Sequence, residues 1–327
     1  MTQPQPADAS SSSKKLHLIG IGVGHSIAPI MHNHICAALH IPWTFVATEA
    51  STIEAAMLIM RDTPNFAGAV VTMPYKKSVM AHLDGLDPLA MKLGACNNVY
   101  VRPDGKLQGT NTDWRGIKGC LLAASEKGTG RVAMIVGAGG ASRAAVYALA
   151  VELKCPVIYV ANRDDQEVKD LIADTRALLT RSGSDEQVSE IVHLRGLEQA
   201  RELPAPYYIV GTVPDSKPET DSEKRTIGIF GHYLASAKER GVFLDMCFKP
   251  RITMKIKLAR QYGWETVEGT EVIGHQIYEQ YRVWIGSESD EQVVSPQLAG
   301  EAWETLRAAA LQSKGINFEV GELDVST

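Results

Sequence analysis

The stretch VAMIVGAGGASRAAVYALA, residues 132–150, does most to fix what this chain can become. Its apolar opening reads as a buried strand, its glycines as a tight turn, and its alanine-rich continuation as a helix. Gly137, Gly139 and Ser142 form a GxGxxS spacing, and Ala138, Gly140 and Ala141 keep the positions between them small. Such a turn lets backbone approach a pyrophosphate, while the helix N-terminus offers amide donors to its charge. Strand, turn and helix in that order are the context that a dinucleotide site requires; a plain tight turn in a sheet is the competing reading.

The following strand, in CPVIYVANRDD, ends on Asn162, Arg163, Asp164 and Asp165. An acidic side chain there can accept hydrogen bonds from the adenosine ribose, whereas an arginine suits a 2′-phosphate. Asp164 would repel that phosphate if it points inward, so NAD is the expected cofactor and NADP the alternative. Asp164 and Asp165 read equally well as caps of the next helix, and Arg163 as a stacking partner for adenine.

This unit belongs to the second of two α/β series. The first starts at residue 15, with LHLIGIG as a strand and PIMHNHICAALH as a helix whose periodic positions are Ile30, His34, Ala37 and Ala38. TFVATEA, a helix STIEAAMLIM behind a Ser51–Glu54 capping box, the strand AGAVVTM and a helix from Pro74 follow. The second series continues through a polar helix around 165–183, PYYIVGTVP and VFLDMCF, with a charged loop at 216–227. A last helix is expected over roughly 272–312, broken near Gly286 and Ser287. Alternating strands and helices imply an α/β fold with largely parallel sheet. A chain of 327 residues exceeds what one core usually serves, so two lobes are expected, joined near DWRGIKGCLLAASEKG with a cleft between them.

Composition narrows the function classes. Hydrophobic content of 45% and charged content of 22% are ordinary for a soluble globular protein, and a net charge of -5 gives no reason to expect nucleic acid. The five cysteines are odd in number and form no CxxC pair, which suits reduced thiols in a cytoplasmic protein and disfavours zinc and disulfide frameworks. No apolar run approaches the roughly 20 residues that span a bilayer, so no membrane partner is expected. Residues 1–14, polar and rich in Pro and Ser, read as a disordered tail without a signal-peptide core. Residues 316–327 read as a mobile tail or a short edge element.

Two adjacent lysines, Lys76 and Lys77, stand in FAGAVVTMPYKKSVMAHL, residues 66–83. On a helix from Pro74, Lys76 shares a face with Val79, Met80 and Leu83, while Lys77 shares a side with Ala81 and Asp84. Lys77 therefore reads as solvated and Lys76 as pointing toward the covered side. In a first turn Lys76 would face the positive end of the helix dipole, a poor place for a structural cation and a reasonable one for a lysine that exchanges a proton. A lysine snorkelling along apolar surface is the competing reading. Asp113, in GTNTDWRGIKG, is the candidate partner in a proton-transfer pair, and an N-cap by its other reading. His32 and His34, two residues apart on a helix, face different sides, so no metal site is expected. His275 is either a cleft residue or an ordinary helical one.

Taken together, these strings resemble the shikimate/quinate dehydrogenase family through most of residues 16–286. HSIAPIMHN, VVTMPYK, GACNN, TNTDWRG, GAGGASRA, ANR, DMCFKP and GTEVIGHQIYEQYRVWIG follow one another in the family's order. The resemblance implies Lys76 and Asp113 as the catalytic pair, Ser26 as the group that binds the substrate carboxylate, and Thr72, Asn97 and Gln276 as contacts to ring hydroxyls. For the cofactor it implies Gly137, Ala138, Gly139, Gly140, Ala141, Asn162, Arg163 and Asp164, with Thr212 and Gly269 added. It further implies a substrate domain at 15–116, a doubly wound Rossmann domain at 117–271, and C-terminal helices at 272–315 that complete the substrate domain, in a monomer or homodimer.

The reaction implied is reversible hydride transfer between the C3 carbinol of a cyclohexane or cyclohexene carboxylic acid and nicotinamide. Four polar positions of the family's motifs are changed: its second serine is Ala28, an asparagine is Val70, a threonine is Asn98 and a tyrosine is Phe248. With Asp164, these changes point to oxidation of the small-molecule substrate quinate to 3-dehydroquinate. Shikimate oxidation is the alternative within enzymes, and a non-catalytic metabolite-sensing relative is the alternative of another class.

Overall fold

Short apolar runs separated by polar turns assemble here into two six-stranded sheets. The computed structural model describes residues 13–176, 179, 189–286 and 293–323. The chain begins with β1 (Lys14–Gly20), α1 (Ala28–Ala38), β2 (Trp43–Glu49), α2 (Ile53–Asp62) and β3 (Phe66–Val71). It continues with β4 (Gly85–Leu86), α3 (Pro88–Leu93), β5 (Asn98–Val101), β6 (Leu107–Thr110) and α4 (Asp113–Ala124). The second half carries β7 (Ala133–Val136), α5 (Gly140–Tyr147), β8 (Val157–Ala161), α6 (Asp165–Thr175), β9 (Glu190–His193) and α7 (Leu197–Arg201). Then come β10 (Tyr208–Gly211), α8 (Asp221–Ser236), β11 (Val242–Asp245), α9 (Met254–Gln261), β12 (Glu265–Val267), α10 (Gly269–Gly274), α11 (Ile277–Ile285) and α12 (Pro296–Gln312).

The second sheet has the order β12-β11-β10-β7-β8-β9, and every pair in it is parallel. Its strands are buried along their whole length at β7, β10 and β11 because helices cover both faces. Strand order reverses between β7 and β10, and in an open α/β sheet ligands bind outside the carboxyl ends of the strands at that point. The first sheet, β2-β1-β3-β5-β6-β4, is mixed. Its parallel core pairs β1 with β2 and β3, and β5 joins antiparallel to both β3 and β6. The helices after β12 return to this sheet: Tyr281 and Trp284 of α11 and Leu298 and Leu306 of α12 pack with Ile35 and Phe45 in one apolar cluster. Burying each such side chain contributes roughly 2 kcal/mol.

Several sequence expectations change. α1 buries Met31, His32, Ile35 and Cys36, and Ile30 lies outside, because packing against β2 and α12 selects the neighbouring stripe. Thr52 rather than Ser51 caps α2, its side chain accepting from the Ala55 amide. No α-helix starts at Pro74. A turn, opened by a cis Met73–Pro74 peptide, leads into a 3-10 helix at Ser78–His82. The Lys76 carbonyl, which an α-helix would pair with Met80, accepts instead from the Cys96 amide, and the Tyr75 hydroxyl donates to the Ala50 carbonyl. Tertiary hydrogen bonds have replaced helical ones.

Residues 221–227 of the expected charged loop open α8, where Thr220 and Glu223 form a capping box that outweighs the charge density. The expected helix at 272–312 is three pieces, with a break at His275 and Gln276 that helical periodicity did not reveal; Ser287 lies outside the described residues. α6 ends at Thr175, and most of 177–183 also lies outside them. The antiparallel β5–β6 pair makes the first sheet less parallel than expected; its RPDGK turn carries Gly105 at a φ of 80°. The segment 316–323 is not loose: Ile316 and Leu323 are buried, and the Val320 carbonyl accepts from Lys257 Nζ.

Candidate active site

The carboxyl ends of β1 and β3 and the start of β5 place a polar cluster beside the turn between β7 and α5. Lys76 Nζ lies 2.5 Å from Asp113 Oδ2, with Asp113 nearly buried and the lysine side chain 16% exposed. Asp113 is the first residue of α4, and Thr112, not Asp113, occupies the N-cap position, so the aspartate side chain is free of capping. Its other oxygen accepts from Asn97 Nδ2 at 2.9 Å. Its two oxygens thus face one lysine nitrogen and one amide donor.

Asn97 and Gln276 tie this pair to α11. Asn97 Nδ2 also lies 3.0 Å from Gln276 Oε1, and Asn97 Oδ1 accepts from the Thr112 amide at 2.6 Å. The Thr112 hydroxyl has one proton; at 2.5 Å from Gln276 Oε1 it donates there and can accept from Asn97 Nδ2 at 3.2 Å. Gln276 in turn donates to the Val272 carbonyl. The hydrogen bonds fix the orientation of both amides, which leaves the outer face of Lys76 as the less constrained edge. Thr112 is a member that sequence reasoning missed, although it stands beside Asp113 in the TNTD string.

Ser26 lies in the loop between β1 and α1, and Thr72 follows β3 directly. Both are half-buried, and the Ser26 hydroxyl accepts from the Ala28 amide at 3.3 Å. The loop before Ser26 is held by Glu49, another missed residue, whose two carboxylate oxygens accept from Gly22 and Gly24 amides at 2.8 Å each. Those amides, Gly24 first, hold the Glu49 carboxyl below its ordinary range. The Thr72 hydroxyl makes no side-chain hydrogen bond among the described residues, so it remains available to a ligand.

The glycine turn adjoins the cluster: a Cβ on Gly140 would stand 3.1 Å from Lys76 Cβ. Gly137 has a φ of +122°, and a Cβ there would meet Thr212 Oγ1 at 2.3 Å, so side chains are excluded on two counts. Gly139 is exposed with open space beside it, and the N-terminus of α5 carries no side-chain cap. Free first-turn amides next to open space suit a phosphate group. The Thr212 hydroxyl donates to the Val136 carbonyl and receives the Ser142 hydroxyl at 2.8 Å, which gives the serine of GxGxxS a packing role. Arg143, buried and missed by sequence reasoning, donates to the Ala138 and Gly139 carbonyls at 3.0 Å each and pairs with Asp174. Only its position inside an alanine-rich helix could have signalled this.

At the far end of the turn, Asn162, Arg163 and Asp164 are engaged locally. Asn162 Nδ2 reaches Glu167 and the Asp164 carbonyl, Arg163 pairs with Glu223 at 2.7 Å, and Asp164 Oδ1 caps α6 through the Gln166 and Glu167 amides. A groove of about 680 Å³ opens here, lined among others by Arg163, Asp164, Lys169, Glu223 and Arg225. Gly269 starts α10 hard against β11, since a Cβ would lie 2.6 Å from the Met246 carbonyl. His275 is not a cluster member: its ring packs edge-on against Trp303, and burial lowers its pKa to about 4. His32 stacks on Phe45 inside the core. Among the described residues no group of three or more His, Cys, Asp or Glu could hold a metal ion, and no helix is long and apolar enough to cross a membrane.

With the cluster and the turn side by side, comparison with known proteins becomes decisive. Residues 18–99 match the family model of the shikimate dehydrogenase substrate binding domain. A quinate dehydrogenase of Emericella nidulans is 34% identical over 293 residues, which cover 83% of this chain and 88% of that protein. The chain belongs to the shikimate/quinate dehydrogenase family. A pentafunctional AROM polypeptide of Eremothecium gossypii is 33% identical over 276 residues, and there the match spans 84% of this chain but only 17% of the relative. The solved structure of shikimate 5-dehydrogenase from Thermus thermophilus, in complex with NADP(H) and shikimate, superposes with a TM-score of 0.66 at 26% identity, covering 90% of this chain and 99% of the other.

Proposed function

We propose that this oxidoreductase oxidises the C3 hydroxyl of quinate to 3-dehydroquinate with NAD, reversibly. The observation that carries the reading is the short Lys76–Asp113 pair beside the glycine turn. Ser26 would take the substrate carboxylate, while Thr72, Asn97 and Gln276 would orient ring hydroxyls. As the C3–H bond breaks, the hydroxyl proton leaves toward the Lys76 amine, and Asp113 then holds the resulting ammonium in place. The Gly137–Ala141 turn would hold the pyrophosphate of a nicotinamide dinucleotide, which would supply the hydride acceptor.

The kinship with a quinate dehydrogenase over most of the chain supports the substrate. Apolar Val70 and Phe248, at positions where the family's motifs are polar, support it too, because changed hydrogen-bonding positions can discriminate strongly between polar substrates. For the cofactor, Arg163 is paired with Glu223 and flanked by Asp164 and Asp165, an arrangement less suited to a 2′-phosphate than an unpaired arginine would be. Residues 15–116 and 272–315 would form the substrate domain, and 117–271 the cofactor domain. The test is a matrix of quinate and shikimate against NAD and NADP, read as NADH or NADPH absorbance. Quinate with NAD is expected to give the highest kcat/KM; turnover of shikimate with NADP and none of quinate would replace this reading with shikimate dehydrogenase.

A further inference from the structure

Asn98 is fully buried, yet neither its amide nitrogen nor its amide oxygen has a hydrogen-bond partner. Buried polar groups are nearly always paired, because their lost hydration is otherwise uncompensated. The neighbours of Asn98 tell where its amide faces. Asn98 lies directly across from Val70 in the antiparallel β3–β5 pair, so the two side chains share one face of the sheet. Thr72 follows Val70 by two residues and continues along that face.

Helix α11 crosses the same region. Gln276 at its start meets Asn97, and Trp284 two turns on donates to the Val99 carbonyl, which leaves Gln280 level with Asn98. Gln280 is buried and its Oε1 is also without a partner. Val70 is half-buried and packs against the same apolar cluster that holds Trp284. The unpaired amide atoms of Asn98 thus lie one residue from Asn97, which donates to Asp113 of the Lys76–Asp113 pair.

We propose that Asn98 is a specificity-determining residue whose amide binds a ring hydroxyl of the polyhydroxy cyclohexane carboxylate, distinct from the hydroxyl that Lys76 and Asp113 serve. This rests on the reading of the site given above. A carboxamide presents a donor and an acceptor side by side, and a hydroxyl can both accept and donate, so one diol satisfies both atoms. Apolar Val70 stands directly across the strand pair and offers the amide no hydrogen-bond partner. In the free protein Asn98 is covered, as Asn97 and Gln276 nearly are. Substrate can reach a covered Asn98 only if a neighbouring side chain moves, and that of Gln280 is held by one long hydrogen bond, 3.5 Å to Gln276 Oε1.

The test is Asn98→Leu, close in volume and without polar atoms, followed by quinate and NAD kinetics and by thermal unfolding of the free protein. KM for quinate is expected to rise at least ten-fold, KM for NAD to stay within two-fold, and the melting temperature not to fall. Asn98→Thr, which keeps one hydroxyl, should give an intermediate KM and serves in place of the leucine variant if that fails to fold. If shikimate is the acid oxidised, the same comparison is made with it. A substrate KM within two-fold of the unmutated protein overturns the proposal, as does a rise matched for NAD with a lowered melting temperature, the mark of a packing role. An unmutated protein that neither oxidises nor, by calorimetry, binds either acid removes the functional reading and this proposal together; an active protein with an unresponsive variant removes the proposal alone.

Discussion

Among the described residues, the two least exposed lysines that pair with carboxylates, Lys76 and Lys255, lie beside different sheets and differ in what is left over. Lys255 Nζ lies 3.1 Å from Asp215 Oδ1 and 3.4 Å from Asp245 Oδ2, with all three side chains at most 3% exposed. The remaining oxygens are used as well: Asp215 accepts from the Met254 amide, and Asp245 from the Thr253 hydroxyl and the Cys247 amide. Burial would push the Lys255 ammonium down, but the two carboxylates hold it above the ordinary lysine value, while burial raises Asp245. Lys76, by contrast, has one carboxylate, a partly exposed side chain and donors without protein acceptors. A fully satisfied buried cluster serves structure, and an incompletely satisfied one beside a cleft can serve chemistry.

Substitution should separate the two. Lys76→Ala is expected to lower kcat by about 10²–10⁴ with cofactor binding intact, since proton transfer by a positioned side chain contributes about that factor. The measurement is kcat beside NAD titration; a kcat within three-fold would place the proton-handling group elsewhere, and an unmutated protein without turnover would favour a sensor. The fold should hold, because Asp113 keeps the Asn97 donor. Lys255→Ala should do the reverse, costing about 3–5 kcal/mol of stability by leaving two buried carboxylates uncompensated. The sign with pH follows from Asp245, whose folded-state pKa is raised: stability is full below the unfolded carboxylate range near 4 and is lost as pH rises. Chemical denaturation at pH 5 and pH 8 should therefore find the larger loss at pH 8, with kcat of the folded fraction within about three-fold of the parent.

Which of these clusters could be seen in the sequence depends on how local its determinants are. The strand, turn and helix at 133–147 were legible because glycine spacing and apolar periodicity act within a few residues. Lys76 and Asp113 were legible as candidates, but their meeting across 37 positions was not. The helical phase that set Lys76 apart from Lys77 does not exist, since the Lys76 carbonyl accepts from the Cys96 amide rather than from Met80 and a turn leads into a 3-10 helix at Ser78–His82. Asp245 was quoted as the start of DMCFKP, but Lys255 and Asp215 attracted no notice, because nothing in KIKLAR or VPDSK signals that three strand and helix ends converge. Asn98 is the intermediate case: its residue change was visible, and only the β3–β5 register shows that it faces Val70.

The smallest expected effect concerns the neighbour of the catalytic candidate. Helical phase predicts a solvated Lys77, and its side chain is 52% exposed, yet its Nζ lies 3.6 Å from Asp174 Oδ2. The same oxygen receives buried Arg143, which holds the carbonyls of the glycine turn. Exposed ion pairs contribute about 0–1 kcal/mol, since solvent screens them and two flexible side chains must be ordered. Arg143 already supplies Asp174 with a charged partner, so Lys77→Ala should change stability by less than about 0.5 kcal/mol and KM for NAD by less than two-fold. Denaturant titration and NAD kinetics at low and high salt measure both. A larger, salt-sensitive rise in KM for NAD would mean that Lys77 steadies Arg143 and the turn, and the contrast between adjacent lysines would then be one of degree rather than of kind.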